Sequence, residues 1–391
     1  MGFKRAFEHP VWLVGFRPFF ILAFVAGALL PLVWGLAFWG VAPFSAVASF
    51  QWHAHEMLYG FGWAVLAGFL LTASKNWLKI RGLHGAGLAL VAALWALERA
   101  VIALHFTAGP WPYAAVLVAS GLSVAAVVAY VVGCLIRYRR QDTFNDNYFF
   151  VIALPLFLIG KGLLLSERHY LAGWWISIGV FRVAFAVMFE RTITQFMKNT
   201  FAVEITRNRA LDSAIKVCVV ASIFAVFLPG LAAAVLLFVT GGLLLIRFFL
   251  WSPATGLKRF EIAIMYVGYL ALTSHFLMEG LRFAGHLNLV GTFSVHVFTF
   301  LCMGVVIPGM LIRISQGHTG RKLVFTWSDR AAIYSMMLAA AFRLLLPQLL
   351  PQHYQLWIVL AGAGWTVCFT LLGWRLVPFL LKPRIDGKVH A

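Results

Sequence analysis

Two imidazoles and a carboxylate, His53, His55 and Glu56, fall within the segment Trp52 to Met57, where a long apolar run begins. Histidine and glutamate are the side chains that ligate iron, copper or zinc and that carry protons near neutral pH. At the rim of an apolar helix such a group is expensive unless it is paired, hydrated or bound to metal. Three further residues share one helical stripe downstream: His275, Glu279 and Arg282, at i, i+4 and i+7. His296 follows at the start of another apolar run, with Met303 on its stripe and Thr299 between them. Haem or metal ligation is the chemistry these residue types suit, and neutral imidazole does not distinguish haem iron from copper or zinc.

The elements that must position them are membrane helices. Of 391 residues, 62% are hydrophobic and 11% charged, against about 25% charged in soluble domains. Apolar runs begin near positions 19, 51, 86, 112, 147, 172, 211, 231, 261, 289, 329 and 355. The expected fold is therefore all-α, a polytopic membrane helical bundle of twelve transmembrane helices in one domain spanning 1–391. Residues 1–18 lack a signal-peptide pattern, so the first run reads as a retained span.

Charge supplies the orientation. The net charge of +18 is distributed over alternate loops, through Lys75, Lys79 and Arg81, then Arg137, Arg139 and Arg140, then Lys198, Arg207 and Arg209, then Lys258 and Arg259, then Arg313, Arg321 and Lys322. Residues 40–50, 105–112 and 228–231 carry no Lys or Arg. That alternation places both termini, with Lys4 and Arg5 at one of them, on the cytoplasmic side. It argues against a basic nucleic-acid-binding face. The four cysteines are scattered with no CxxC, which offers neither a disulfide framework nor a thiolate metal site.

Orientation converts position into depth. His53 and His55 lie about 3–6 Å below the outer end of the second span, His296 about 10 Å into the tenth, and His275 roughly 12 Å short of the outer surface. Four histidines from three helices are thus expected in the outer half of the membrane. His53 and Glu56 share a face, as do His55 and Tyr59. His53 and His55 themselves are about 200° apart in a regular helix and do not face one site. Buried charges accompany them: Glu98 and Arg99, Lys161, Arg182 and Arg343. Arg182 and Arg282 could neutralise haem propionates, and internal ion pairs such as Arg99 or Arg182 with Glu98 are an equal alternative. After the tenth span, Gly317-His318-Thr319-Gly320-Arg321 forms a tight loop that could cradle an anion or simply cap a helix.

The segments GFRPFF (15–20), WHAHEM (52–57) followed by YGF (59–61), GFLLTA (68–73) with Asn76-Trp77, and GHTGR (317–321) resemble the NnrS family. The resemblance marks His53, His55, Glu56, Asn76, Trp77, His318, Thr319 and Arg321 as motif positions. It also matches His296 to a family histidine in the span before GHTGR. His275 rests on depth alone. Ser74-Lys75 and the Glu98-Arg99 pair depart from the family pattern. The resemblance implies a bacterial inner-membrane protein of the nitric oxide response containing haem, with copper as a further metal. The reading that follows is a protein that protects against nitrosative stress by binding or reducing nitric oxide at a haem b held by two of His53, His55, His275 and His296. His318 and Arg321 would be cofactor-binding residues, Glu56 and Glu279 the proton-handling catalytic carboxylates, and quinol an electron donor. Its rivals are a transporter of a nitrosyl-metal or small anionic species and a quinol-linked electron-transfer haem protein.

Overall fold

The computed structural model describes residues 7–388 except 43, 48 and 110, with the backbone alone at 145 and 146. Lys4 and Arg5, part of the expected inner charge, lie outside the described residues. The described residues contain helices and no strand. Eleven helices are long and apolar enough to cross a membrane. They are α1 (Phe16–Trp39), α2 (Phe50–Leu78), α3 (Gly85–Thr107), α4 (Tyr113–Arg137), α6 (Glu167–Phe201), α7 (Arg209–Phe227), α8 (Gly230–Leu250), α9 (Phe260–Phe283), α10 (Phe293–Gly317), α11 (Trp327–Leu349) and α12 (Pro351–Leu381). The remaining expected span corresponds to a shorter apolar segment, α5 (Phe149–Leu165). It breaks at Leu154 because Pro155 supplies no N–H to continue the ladder from Phe149–Ala153.

The chain forms two compact units. The first comprises Met1–Ser177, Met310–Ala332 and Trp365–Ala391. Within it α1 packs along α2, α3 along α4, and α4 against both α2 and α5. The second comprises Ile178–Gly309 and Ile333–Gly364, where α8 packs along α9, α9 against α10, and α7 against α8. With no water inside the bilayer core, helices are the element that satisfies every backbone group locally.

Two helices, α2 and α10, contain π-segments, and in each a histidine immediately precedes the segment. In α2, Ser49 accepts from the Gln51 amide at 3.2 Å and caps a short α-helix, Phe50–His55. The next seven residues, Glu56–Gly62, form a π-helix before α geometry resumes at Trp63. In α10, a four-residue α-turn, Phe293–His296, is followed by a π-helix over Val297–Gly304. A π-segment widens the turn and re-aims the side chains before it relative to those after it, and such segments are frequent at functional sites.

Candidate functional site

In the first unit the widened turn of α2 gathers a buried charge network. His55 is fully buried, its Nδ1 3.0 Å from Glu56 Oε1 and its ring tilted against Tyr59 at 5.6 Å. Glu56 accepts at Oε2 from Arg99 Nη1 at 3.1 Å. Arg99 also donates to Glu98, as does Lys161 from α5, whose ammonium reaches the Ser120 carbonyl at 2.6 Å as well. His55 Nε2 lies 3.7 Å from Glu98 Oε1. Two carboxylates thus meet two permanent cations in an apolar bundle. That balance is what makes burial tolerable, because an unmatched charge there would cost several kcal/mol.

The π-segment lets these groups approach. Trp95 Nε1 donates to the Gly60 carbonyl at 3.1 Å, occupying a backbone acceptor within the widened turn. A Cβ on Gly60 would sit 2.5 Å from Arg99 Nη1 and 3.1 Å from Glu56 Oε2. Glycine is therefore required for the arginine to reach the carboxylate. A Cβ on Gly160 would likewise stand 2.8 Å from Ser177 Oγ and 3.1 Å from the Tyr59 hydroxyl. Those two groups hydrogen-bond at 2.7 Å, and the Tyr59 hydroxyl also donates to the Phe157 carbonyl at 3.0 Å.

The expected face-sharing holds for His55 with Tyr59 and changes for Glu56. It pairs with its neighbour His55 rather than with His53, because the helix widens at Glu56 itself. His53 turns away and stacks on Trp34 at 4.3 Å. The separation of the two imidazoles follows as read from the helix angle.

In the second unit, His275, Glu279 and Arg282 form the expected stripe on α9. Arg282 Nε donates to Glu279 Oε2 at 2.8 Å, and the hydroxyl of Ser294 donates to Glu279 Oε1. His275 is fully buried, with Nδ1 2.7 Å from the Ser294 carbonyl. An N–H must lie between that nitrogen and a carbonyl oxygen, which leaves Nε2 as the lone-pair nitrogen. His275 Nε2 is buried and has no hydrogen-bond partner. Phe298 and Phe276 flank the ring at 5.4 and 5.9 Å. Arg182 lies over Phe276, its guanidinium 5.5 Å from the ring centre, within electrostatic reach of Glu279 and His275. His296 bonds back to its own turn, Nδ1 to the Thr292 carbonyl at 2.7 Å. His275 is thus anchored by the Ser294 carbonyl and His296 by the Thr292 carbonyl, both at the start of α10.

His318 and Arg321 belong to the first unit, at the end of α10. The His318 ring packs on Phe16 at 5.4 Å, and the Arg321 guanidinium lies 4.1 Å from the centre of the Phe379 ring. Burial, reinforced by Arg384 and Lys75, holds the His318 imidazole down to about 4. Among the described residues, no group of three or more His, Cys, Asp or Glu could hold a metal ion.

Sequence reading underweighted Lys161, Tyr59 and Ser294. Lys161 stood out as an intramembrane charge, but Glu98 lies 63 residues away and nothing in spacing links them. Ser294 has no signature at all, because its carbonyl and hydroxyl act only once α9 and α10 are packed.

No curated protein matches the chain. A family model described as NnrS protein matches residues 10–384, nearly the whole length. The chain belongs to the NnrS family.

Proposed function

We propose that this membrane protein of the nitric oxide response binds haem through His275 and that nitric oxide is its ligand or substrate there. The observation that carries the reading is the state of His275. Its Nδ1 is committed to the Ser294 carbonyl, while Nε2 is buried and unpartnered. Metal-ligating histidines characteristically donate their second ring N–H to a carbonyl or carboxylate, which fixes both tautomer and orientation. Phe276 and Phe298 give the ring apolar walls, and Arg182 and Arg282 bring cations that could pair with propionates.

The residues would suit a haem held through one histidine better than a three-ligand copper site, since no group of three His, Cys, Asp or Glu that could hold a metal ion occurs among the described residues. His55 Nε2 is likewise buried without a hydrogen-bond partner, but it stands 3.7 Å from Glu98, which Arg99 and Lys161 also engage, so His55 fits less well as a haem ligand. Bound haem would supply an iron that takes nitric oxide as a ligand and exchanges electrons with it. The protein's own part is to exclude water with the aromatic walls and to hold the imidazole through Ser294. Glu279 positions the α9–α10 pair by accepting from Arg282 and Ser294 together. Glu56 and Glu279 are the carboxylates for moving protons if the reaction is a reduction, with quinol as the electron source.

A second reading, transport of a small anionic or nitrosyl-metal species, draws on the buried cations Arg99 and Lys161. Optical spectra of the purified protein, reduced and then exposed to nitric oxide, with metal analysis, separate the two. Haem bands that shift on nitric oxide addition support the first reading. A haem-free protein with an unchanged spectrum that catalyses counterflow in proteoliposomes overturns it.

A further inference from the structure

The end of the first unit that carries the Gly317–Arg321 turn assembles cations rather than dispersing them. Arg17 is 0% exposed although it is only the second residue of α1, and it donates to the Leu380 and Lys382 carbonyls at 2.6 and 2.8 Å. Arg384 donates to the His318 carbonyl at 3.0 Å and is held by Asp386. Arg17 lies within electrostatic reach of both Arg321 and Arg384, and Lys75 within reach of Arg384. Four cations, Arg17, Lys75, Arg321 and Arg384, come together here, and Arg384 engages the carboxylate of Asp386. Basic residues that merely orient a membrane protein extend outward to water, whereas Arg17 is buried here and Lys75, Arg321 and Arg384 are half-buried around one turn.

The turn itself is shaped for close approach. Gly320 has φ +79, and a Cβ there would stand 2.7 Å from the Asp386 carboxylate. Two fully buried hydroxyls on the participating helices, Ser74 beside Lys75 and Ser315 one turn before Thr319, have no hydrogen-bond partner. The same unit also exposes large apolar side chains: Trp327, at the start of α11, is 82% exposed, and Leu381 and Ile385, which flank Arg384 in the chain, are exposed too. Exposed tryptophans at helix ends mark the headgroup level of a bilayer.

We infer that the cluster of Arg17, Lys75, Arg321 and Arg384 around the Gly317–Arg321 turn is a binding site for the phosphate of an anionic phospholipid headgroup. Guanidinium groups match phosphate oxygens through paired N–H donors. The exposed aliphatic side chains of Leu381 and Ile385, beside Arg384 and the Thr319 carbonyl, favour a lipid over a phosphate from solution. This site is separate from His275 and does not depend on the haem reading.

The test uses the purified full-length protein in a neutral detergent. Native mass spectrometry and thermal unfolding are followed while phosphatidylglycerol, phosphatidylcholine or inorganic phosphate is added. Phosphatidylglycerol is expected to bind and raise the melting temperature, and phosphatidylcholine and inorganic phosphate to do neither. Arg321→Gln and Lys75→Gln are each expected to weaken phosphatidylglycerol binding about fivefold. Arg259→Gln, at an exposed arginine of the second unit, should leave it unchanged. Equal binding by wild type and both site variants, or equal loss in Arg259→Gln, overturns the site. An equal response to inorganic phosphate overturns the lipid assignment. Arg321→Lys, which keeps the charge, should retain most binding and separates a folding defect from loss of the ligand.

Discussion

At the scale of single residues, the molecule treats chemically similar side chains in different ways. His53 stacks on an indole; His55 and His275 each keep Nδ1 bonded and Nε2 buried without a hydrogen-bond partner, but His55 sits within a charge network and His275 between phenylalanine rings. The sequence discriminated the first two by helix angle alone, since residues two apart leave a helix on nearly opposite sides. It could not foresee that Glu56 would turn to His55, because that depends on the widened turn. Replacing Glu98 by glutamine would leave Arg99 and Lys161 facing one carboxylate in an apolar interior. We predict a loss of about 3–5 kcal/mol, read as a large drop in detergent melting temperature. A melting temperature within a degree of wild type would contradict the network's description.

Gly60→Ala should cost about 1–3 kcal/mol by forcing Arg99 from Glu56, and the same unfolding assay checks it. His318 gives a pH effect whose direction is fixed. Its folded-state pKa of about 4 lies below the ordinary value of 6.5, so the unfolded chain takes the proton first. Its contribution to stability is therefore complete above pH 6.5 and lost as pH falls toward 4. His318→Gln should flatten that part of the melting-temperature profile, and an unchanged slope would show that other groups set it.

At the scale of elements, the two π-segments are what a hydropathy reading could not supply. Apolar periodicity located α2 and α10, and the charge alternation located their ends, but a π-turn leaves the apolar pattern of a span nearly intact. The partner groups say more. Trp95 donates to Gly60 within one π-segment, while Ser294, on the turn before the other, holds both His275 and Glu279. Trp95→Phe keeps an aromatic side chain, though a smaller one, and removes the donor, so it should cost about 1–2 kcal/mol while the helical circular dichroism is retained. A neutral result would mean that the Gly60 carbonyl finds another donor and that the widened turn does not rely on α3. The short α5 has a similar lesson. Its apolar run reads as a full span, yet Pro155 divides it, and Lys161 enters the network from the longer half.

At the scale of the whole molecule, the membrane class and family were legible because composition, span length and motif order act over hundreds of residues. The positive-inside pattern further expects alternate loops on opposite sides. Cysteines introduced singly at Ala108 and Leu228, both exposed, should be labelled by an impermeant reagent only from outside the cell. Those at Lys258 and Lys322 should be labelled only after the membrane is opened. Labelling of Lys258→Cys in intact cells would overturn the orientation and with it the outer placement of His275. What the sequence left open was which histidine is poised for a ligand, since all four are of one type and at similar depth, and only packing sorts them.

Haem content of single-histidine variants decides whether His275 holds the cofactor. Wild type, His275→Ala and His55→Ala would be purified in parallel and assayed for haem by the pyridine haemochrome spectrum and for the spectral change on adding nitric oxide. His275→Ala is expected to lose haem and the nitric oxide response, while His55→Ala keeps haem and responds. A His275→Ala protein with wild-type haem content and an unchanged nitric oxide spectrum would contradict that role for His275.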